Sequence, residues 1–383
     1  MQRRSLWRLP AMRSLVGVTA LGFTSYWLTL ASLPAYAVAG GAGETTAGAV
    51  TAAFLVTTIV VQSMVPALTA RFGAGAVLAA GLVALGAPSP LYALGNGLGW
   101  LVWISVLRGA GFGVLTVLGS LLAVQVAPRI QRGEAVGLYG LAIAVPNLIA
   151  VPAGVALVLH GHPTWLAWLG ACPLLVLPFV PSVVHAAVDD RAEHPPPGAG
   201  RRAARAALTP SLVLLAVTLA GGGLVTFLPI ERPDGALATV ALLVFGATGA
   251  LFRWQAGLLA DRSGSRLLLP GGLVVGAVGL VAVAAGLHAA DAAVLVGAAV
   301  FGVGYGTVQN LTLLAAFIRA GAGGGSAASA MWNASFDAGT ALGAIALGAV
   351  AAGIGLGWTY VAVAGLLVLA VPLALAAARP SAS

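Results

Sequence analysis

The sequence has no lysine; its 18 basic residues are all arginine, set against 10 acids in 383 residues. Charge of either sign is scarce, at 7% of the chain, where a water-soluble domain carries roughly 25%. So few charges cannot cover a surface that faces water, which excludes a soluble globular protein. Cysteine occurs once, at Cys172, which excludes an intrachain disulfide and a cysteine metal cluster. No G-x-x-x-x-G-K-[ST] loop is present, so nothing points to nucleotide-driven work. With no H-E-x-x-H and no paired acidic cluster, the residues give no support to hydrolysis. The expectation is a non-enzyme with no metal and no cofactor.

What the chain has is apolar length. It is 60% hydrophobic, with a mean hydropathy of +1.02. A helix needs about 20 apolar residues to cross the hydrocarbon core. Stretches of that kind lie near 15–39, 46–69, 75–94, 98–126, 135–159, 164–186, 210–230, 236–259, 266–287, 292–318, 327–353 and 356–378. Transmembrane strands would be shorter and would alternate in polarity. The expected fold is an all-α polytopic membrane protein with twelve transmembrane helices. The first stretch, behind "MQRRSLWRLPAMR", exceeds the apolar core of about 7–15 residues found in a signal peptide. It is expected to be a retained helix.

The net charge of +8 does not indicate nucleic acid, because the arginines collect at alternate breaks. Arg3, Arg4, Arg8 and Arg13 precede the first helix, Arg71 follows the second, and Arg129 and Arg132 follow the fourth. Arg191, Arg201, Arg202 and Arg205 follow the sixth, Arg262 and Arg266 the eighth, Arg319 the tenth and Arg379 the twelfth. The opposite breaks hold Glu44, His160, His162, Glu231, Arg232, Asp234, His288 and Asp291. Basic loops stay on the cytoplasmic side. Both termini are therefore expected in the cytoplasm and the protein in the cytoplasmic membrane, with the lipid bilayer as its surroundings.

The longest polar stretch, "DDRAEHPPPGAGRRAARA" at 189–206, reads as a flexible linker. It sets expected boundaries of 1–188 for a first six-helix bundle, 189–209 for a cytoplasmic linker and 210–383 for a second bundle. The halves repeat each other. "LTARFG" ends the second helix and "LADRSG" the eighth, so that Arg71 and Arg262, and likewise Gly73 and Gly264, are 191 residues apart. Two pseudo-symmetric six-helix units suggest a rocking transporter.

"GLLADRSGSRLLL" at 257–269 resembles the loop motif G-x-L-A-D-R-x-G-R-x-x-L of the major facilitator superfamily. The matching residues are Gly257, Leu259, Ala260, Asp261, Arg262, Gly264 and Arg266, the last one place later than in the pattern. The first-half copy has Ala70 in place of the aspartate. Gly140, Pro146 and Gly154 fall where exporters of that family carry a glycine- and proline-rich pattern, and "LRGAGFG" at 107–113 resembles its helix-4 region with a buried arginine. "GYGTVQNLTLL" and "SAMWNASFDAG" resemble an export branch. The resemblance implies a monomeric transporter of small molecules. It also implies a cytoplasmic gate in which Asp261 meets the start of helix 5 at Arg132, Gly133 and Glu134, with Arg71, Gly73, Gly257, Arg262, Gly264 and Arg266 shaping the two loops.

The remaining chemistry is sparse. A charge near the bilayer centre costs about 2.5–3.5 kcal/mol on insertion scales, so a buried one needs a reason. Asp337 lies about 17 Å from the start of helix 11 at 1.5 Å per residue. It shares a face with Asn333 and Thr340. A cavity-facing substrate or proton site is one reading, and a structural carboxylate neutralised by a neighbour is the other. Arg108 has similar depth on helix 4 and is the expected partner of Asp337 for proton coupling; its alternative is a packing role within the first half. Arg253 on helix 8 is expected to snorkel or to pack at the gate. Trp332, Asn333, Gln309, Asn310, Asn147, Tyr26 and Trp27 occupy the middle of their helices and suit an amphipathic organic substrate. The expectation is secondary transport, as proton-coupled efflux of a small organic molecule. The alternatives are an importer or facilitator of a small polar solute, and a non-transporting sensor on the same scaffold.

Overall fold

The computed structural model describes residues 5–30, 32–187, 198–231, 236–287, 289–321 and 323–378. Arg3, Arg4, Arg191, Arg232, Asp234, His288, Arg379 and the linker up to residue 197 lie outside the described residues. The regular elements are helical. Among the described residues, twelve helices have the length and apolarity to cross a membrane: α1 Pro10–Ala39, α2 Ala49–Phe72, α3 Ala74–Leu94, α4 Leu98–Val126, α5 Arg129–Leu159, α6 Pro163–Ala186, α7 Ala199–Pro229, α8 Leu237–Ser263, α9 Leu268–Gly286, α10 Asp291–Ala320, α11 Gly325–Ile354 and α12 Leu356–Ala377.

The largest difference from the expected spans is at α7, which begins at Ala199 rather than near residue 210. Residues expected in the linker are helical because "AGRRAARAALTP" is rich in good helix formers. Ala203 and Ala207 form its buried face, while Arg201, Arg202 and Arg205 stay exposed. Helix α6 is interrupted. A 3-10 segment, Cys172–Phe179, separates Pro163–Leu169 from Val180–Ala186. Pro173, Pro178 and Pro181 withhold the N–H groups that an unbroken α-helix needs.

Contacts divide the chain into two units. The first comprises Met1–Pro128 with Ala142–Asp190, and the second Arg129–Leu141 with Arg191–Ser383. The first turns of α5 therefore group with the second unit. In the first unit α4 is the central helix, packed along α2 and α3, and 72% of its most apolar window is buried. Thr58 Oγ1 donates to the Gly109 carbonyl at 3.1 Å, so a hydroxyl joins α2 to α4 without leaving a polar group unmet. In the second unit α7 packs along α11, while α8 and α9 both pack along α10. The repeat is visible in local geometry. Gly73 and Gly264 end α2 and α8 with φ of 81° and 80°, a conformation that disfavours any Cβ. Their N–H groups close on Thr69 O at 2.9 Å and Ala260 O at 2.8 Å.

Candidate functional site

The second unit has a polar core at the crossing of α5, α8, α10 and α11. Helix α5 presents Gly133, Gly137 and Gly140 along one face, the i, i+4, i+7 spacing of a helical stripe. Helix α8 runs antiparallel against it: Gly257 and Asp261 meet Gly133, Trp254 meets Gly137, and Arg253 meets Gly140. A Cβ on Gly133 or Gly257 would run into the other's carbonyl oxygen, so two glycines are required for the backbones to approach this closely. Asn310 on α10 seals the crossing. Its Nδ2 donates to Arg253 O at 2.8 Å and Gly133 O at 3.1 Å.

This approach sets the Asp261 carboxylate on the start of α5. Oδ1 accepts from the Gly133 N–H and Oδ2 from the Glu134 N–H, both at 2.9 Å. Those N–H groups belong to the first turn, which has no partners within the helix. Glu134 in turn accepts from Gln131 Nε2 at 3.1 Å.

Of the two roles expected for Arg253, the structure removes one. Arg253 does not snorkel; it is only 6% exposed. Nη1 donates to Gln309 Oε1 at 3.0 Å, and the ring centroids of Tyr139 and Trp332 lie 5.9 and 5.8 Å from the guanidinium carbon. Trp332 is held by its own Nε1, which donates to Thr312 Oγ1 at 3.1 Å, and by Phe336 stacked 5.8 Å away. The charges of both Arg253 and Asp337 act on Tyr139 and on Tyr305. Asp337 itself is half-buried. The arrangement combines a permanent cation, an acid, two tyrosines and a tryptophan at membrane depth.

Of the expected substrate residues, Gln309 and Trp332 belong to this cage. Asn310 serves the helix crossing, and Asn333 turns back along its own helix to Ser329 O at 2.9 Å. Tyr26 sits in an aromatic cluster of the first unit, stacked 4.2 Å from Phe112 and 5.3 Å from Phe54. Trp27 Nε1 donates to Ile143 O at 3.2 Å, and Asn147 is half-buried on α5. At the helix ends, Arg71, Arg262 and Arg266 are exposed and Arg132 half-buried; Arg71 lies 5.2 Å from the Phe72 ring centre. Tyr139, Tyr305 and the burial of Arg253 are not among the expected features. One signal was available: Arg253 lies ten residues before the end of α8, or about 15 Å, which is as deep as Asp337. A cavity of about 640 Å³, walled by residues including Phe227, Glu231 and Trp358, lies apart from the cage.

Arg108 was expected to face Asp337, but the partners the structure shows for it belong to its own unit. It is fully buried, donates from Nε to Leu85 O at 2.9 Å and from Nη2 to Ser25 O and Oγ at 3.0 and 2.7 Å, and lies 5.3 Å from the Tyr92 ring centre. It ties α4 to α1 and α3. Arg108→Ala should remove these charge-assisted bonds and leave a void, lowering stability by about 2–4 kcal/mol. Arg108→Lys should recover little, since an ammonium cannot span both carbonyls. Thermal melting of the purified variants checks this; wild-type melting of Arg108→Ala would remove its role as an anchor.

The sequence profile described as Major Facilitator Superfamily matches residues 15–331. The chain belongs to the major facilitator superfamily. Solved transporters share its fold. The crystal structure of the human organic anion transporter MFSD10 (TETRAN) is 15% identical with a TM-score of 0.77, covering 97% of this chain and 100% of that one. The E. coli fucose:proton symporter FucP is 15% identical with a TM-score of 0.72, over 96% and 98% of the two chains. The proton:xylose symporter XylE, bound to 6-bromo-6-deoxy-D-glucose, is 18% identical with a TM-score of 0.71, over 96% and 94%. No curated protein sequence matches the chain. Within this superfamily member the repeat is chemically unequal. The positions 191 residues before Arg253 and Asp261 hold Gln62 and Ala70. Gln62 is buried and donates to Thr116 Oγ1 at 3.2 Å, so the first unit has a neutral pair where the second has the cation.

Proposed function

We propose that this superfamily member is a secondary active transporter that exports a small organic molecule across the cytoplasmic membrane in exchange for protons. The observation that carries the reading is the half-buried Asp337, whose charge acts on the same tyrosines as the buried Arg253. Among the described residues of the second unit, the other acids, Glu134, Glu231, Asp261 and Asp291, lie at or near helix ends. A half-buried carboxylate that can alternate between protonated and ionised forms is a suitable proton carrier. The arginine-rich loops support a cytoplasmic placement of both termini. The Asp261 contact with α5 supports a gate at that end.

The test is flux. Purified protein is reconstituted into liposomes with an imposed pH gradient. Release of a driven compound is followed together with internal pH by a trapped dye. Proton exchange predicts that compound and protons move in opposite directions with a fixed ratio. Movement in the same direction would replace export by symport, gradient-independent equilibration would leave a facilitator, and no flux across a panel of organic acids, amines and neutral compounds would leave a sensor.

A further inference from the structure

Arg253 is not fully satisfied by its own protein. Nη1 is taken by Gln309, but the buried Nε and Nη2 atoms have no hydrogen-bond partner among the described residues. These two nitrogens form one edge of the guanidinium, the side-on fork whose parallel N–H groups match the two oxygens of a carboxylate. A buried donor without a partner costs roughly 1–3 kcal/mol, and more when charged. A bilayer offers no water to offset that cost. The bare edge also depends on a particular glycine. A Cβ on Gly140 would stand 2.5 Å from Arg253 Cδ and 2.6 Å from Nε, so any larger residue would press on the fork.

We propose that the Nε–Nη2 edge of Arg253 is the docking point for the carboxylate of a small organic monoacid with a flat, apolar body. Three features select that class. Among the described residues the cage has one fixed cation, which balances one negative charge and leaves a dianion such as hydrogen phosphate uncompensated. The nearby rings of Tyr139, Trp332 and Phe336 suit a planar apolar body. Asp337, whose charge reaches Tyr139 and Tyr305 as does that of Arg253, opposes a second anion, so the bound acid and the ionised Asp337 compete for the same field. The edge is closed to solvent here, and entry requires the guanidinium or a neighbouring ring to move. The inference deepens the transport reading by naming the class of molecule that the second unit takes.

Binding is measured without any gradient, so that it can fail or hold independently of flux. The protein in lipid nanodiscs is titrated by calorimetry with benzoate, benzamide, benzylammonium and hydrogen phosphate. Benzoate is expected to bind saturably and the other three to bind much more weakly. Arg253→Lys keeps the charge but removes the fork, and should weaken benzoate by roughly tenfold or more. Gly140→Ala should also weaken it, without altering a polar group. Asp337→Asn should strengthen it by removing a like charge. Thermal melts without ligand identify any variant that fails to fold, and Gly140→Ala then carries the comparison. Equal binding of benzamide, preference for benzylammonium or phosphate, absence of benzoate binding, or wild-type affinity in both Arg253→Lys and Gly140→Ala would overturn the site. Benzoate binding with no flux in liposomes would instead overturn only the transport reading.

Discussion

Asp337→Asn is expected to abolish proton-driven accumulation in liposomes, down to the level of empty vesicles, while the purified variant melts near wild type. The expectation follows from cost and position. A charge at this depth is expensive, on the order of 2.5–3.5 kcal/mol on insertion scales, and Arg253 keeps its charge at any accessible pH. Asp337 is half-buried, and its charge reaches Tyr139 and Tyr305, as that of Arg253 does. Asparagine has nearly the same shape and can accept a hydrogen bond, but it cannot take up and release a proton. Folding should therefore survive and coupling should not. Exchange of labelled for unlabelled compound, which needs no net proton movement, should continue. Wild-type accumulation against a gradient in Asp337→Asn would remove the proton role from this residue.

Asp261→Asn should shift the conformational balance by roughly five- to thirty-fold, the equivalent of a latch of about 1–2 kcal/mol. Each carboxylate oxygen accepts one backbone N–H from the first turn of α5, both at 2.9 Å. That turn is also the positive end of the helix dipole, where an anion gains about 0.3–2 kcal/mol. Asparagine loses the charge and one of the two acceptors. Gly257→Ala should act in the same direction by another route, because its methyl group would meet the Gly133 carbonyl and push α8 from α5. The first-unit counterpart is Ala70, so Ala70→Asp should change the balance less. In a Cys172→Ser background, cysteines placed along α5 and α8 near Asp261 are labelled from the arginine-rich end. Faster labelling in Asp261→Asn and Gly257→Ala is expected. Labelling at the wild-type rate in both, or an equal response to Ala70→Asp, would sink the latch.

The sequence by itself determined the number of spans, their approximate ends and the internal repeat. Helix α4 begins and ends at the residues that hydropathy indicated, Leu98 and Val126, because a bilayer imposes a length and an apolar composition that can be counted along the chain. The exception at α7 has a physical reason too. Its first turns lie among arginines, so a hydropathy window passes over them although their alanine face is helical and buried. Depth was equally legible, since it is chain position multiplied by helical rise. That count placed Asp337 and Arg108 at membrane depth, and the same count from the end of α8 gives Arg253 a similar depth.

Only the tertiary structure decided what each charge meets. Arg108 and Arg253 are both buried arginines on apolar helices, yet one donates to Ser25 and Leu85 and the other to Gln309, with an edge that has no partner among the described residues beside Tyr139 and Trp332. Tyr139 precedes Arg253 by 114 positions, and no local pattern links them. Their meeting depends on the rotation of α5 and α8 about their axes. That rotation is set by Gly133, Gly137 and Gly140 packing against α8. Depth is a one-dimensional property of the chain, whereas lateral neighbours follow from which helix faces can approach closely enough to touch.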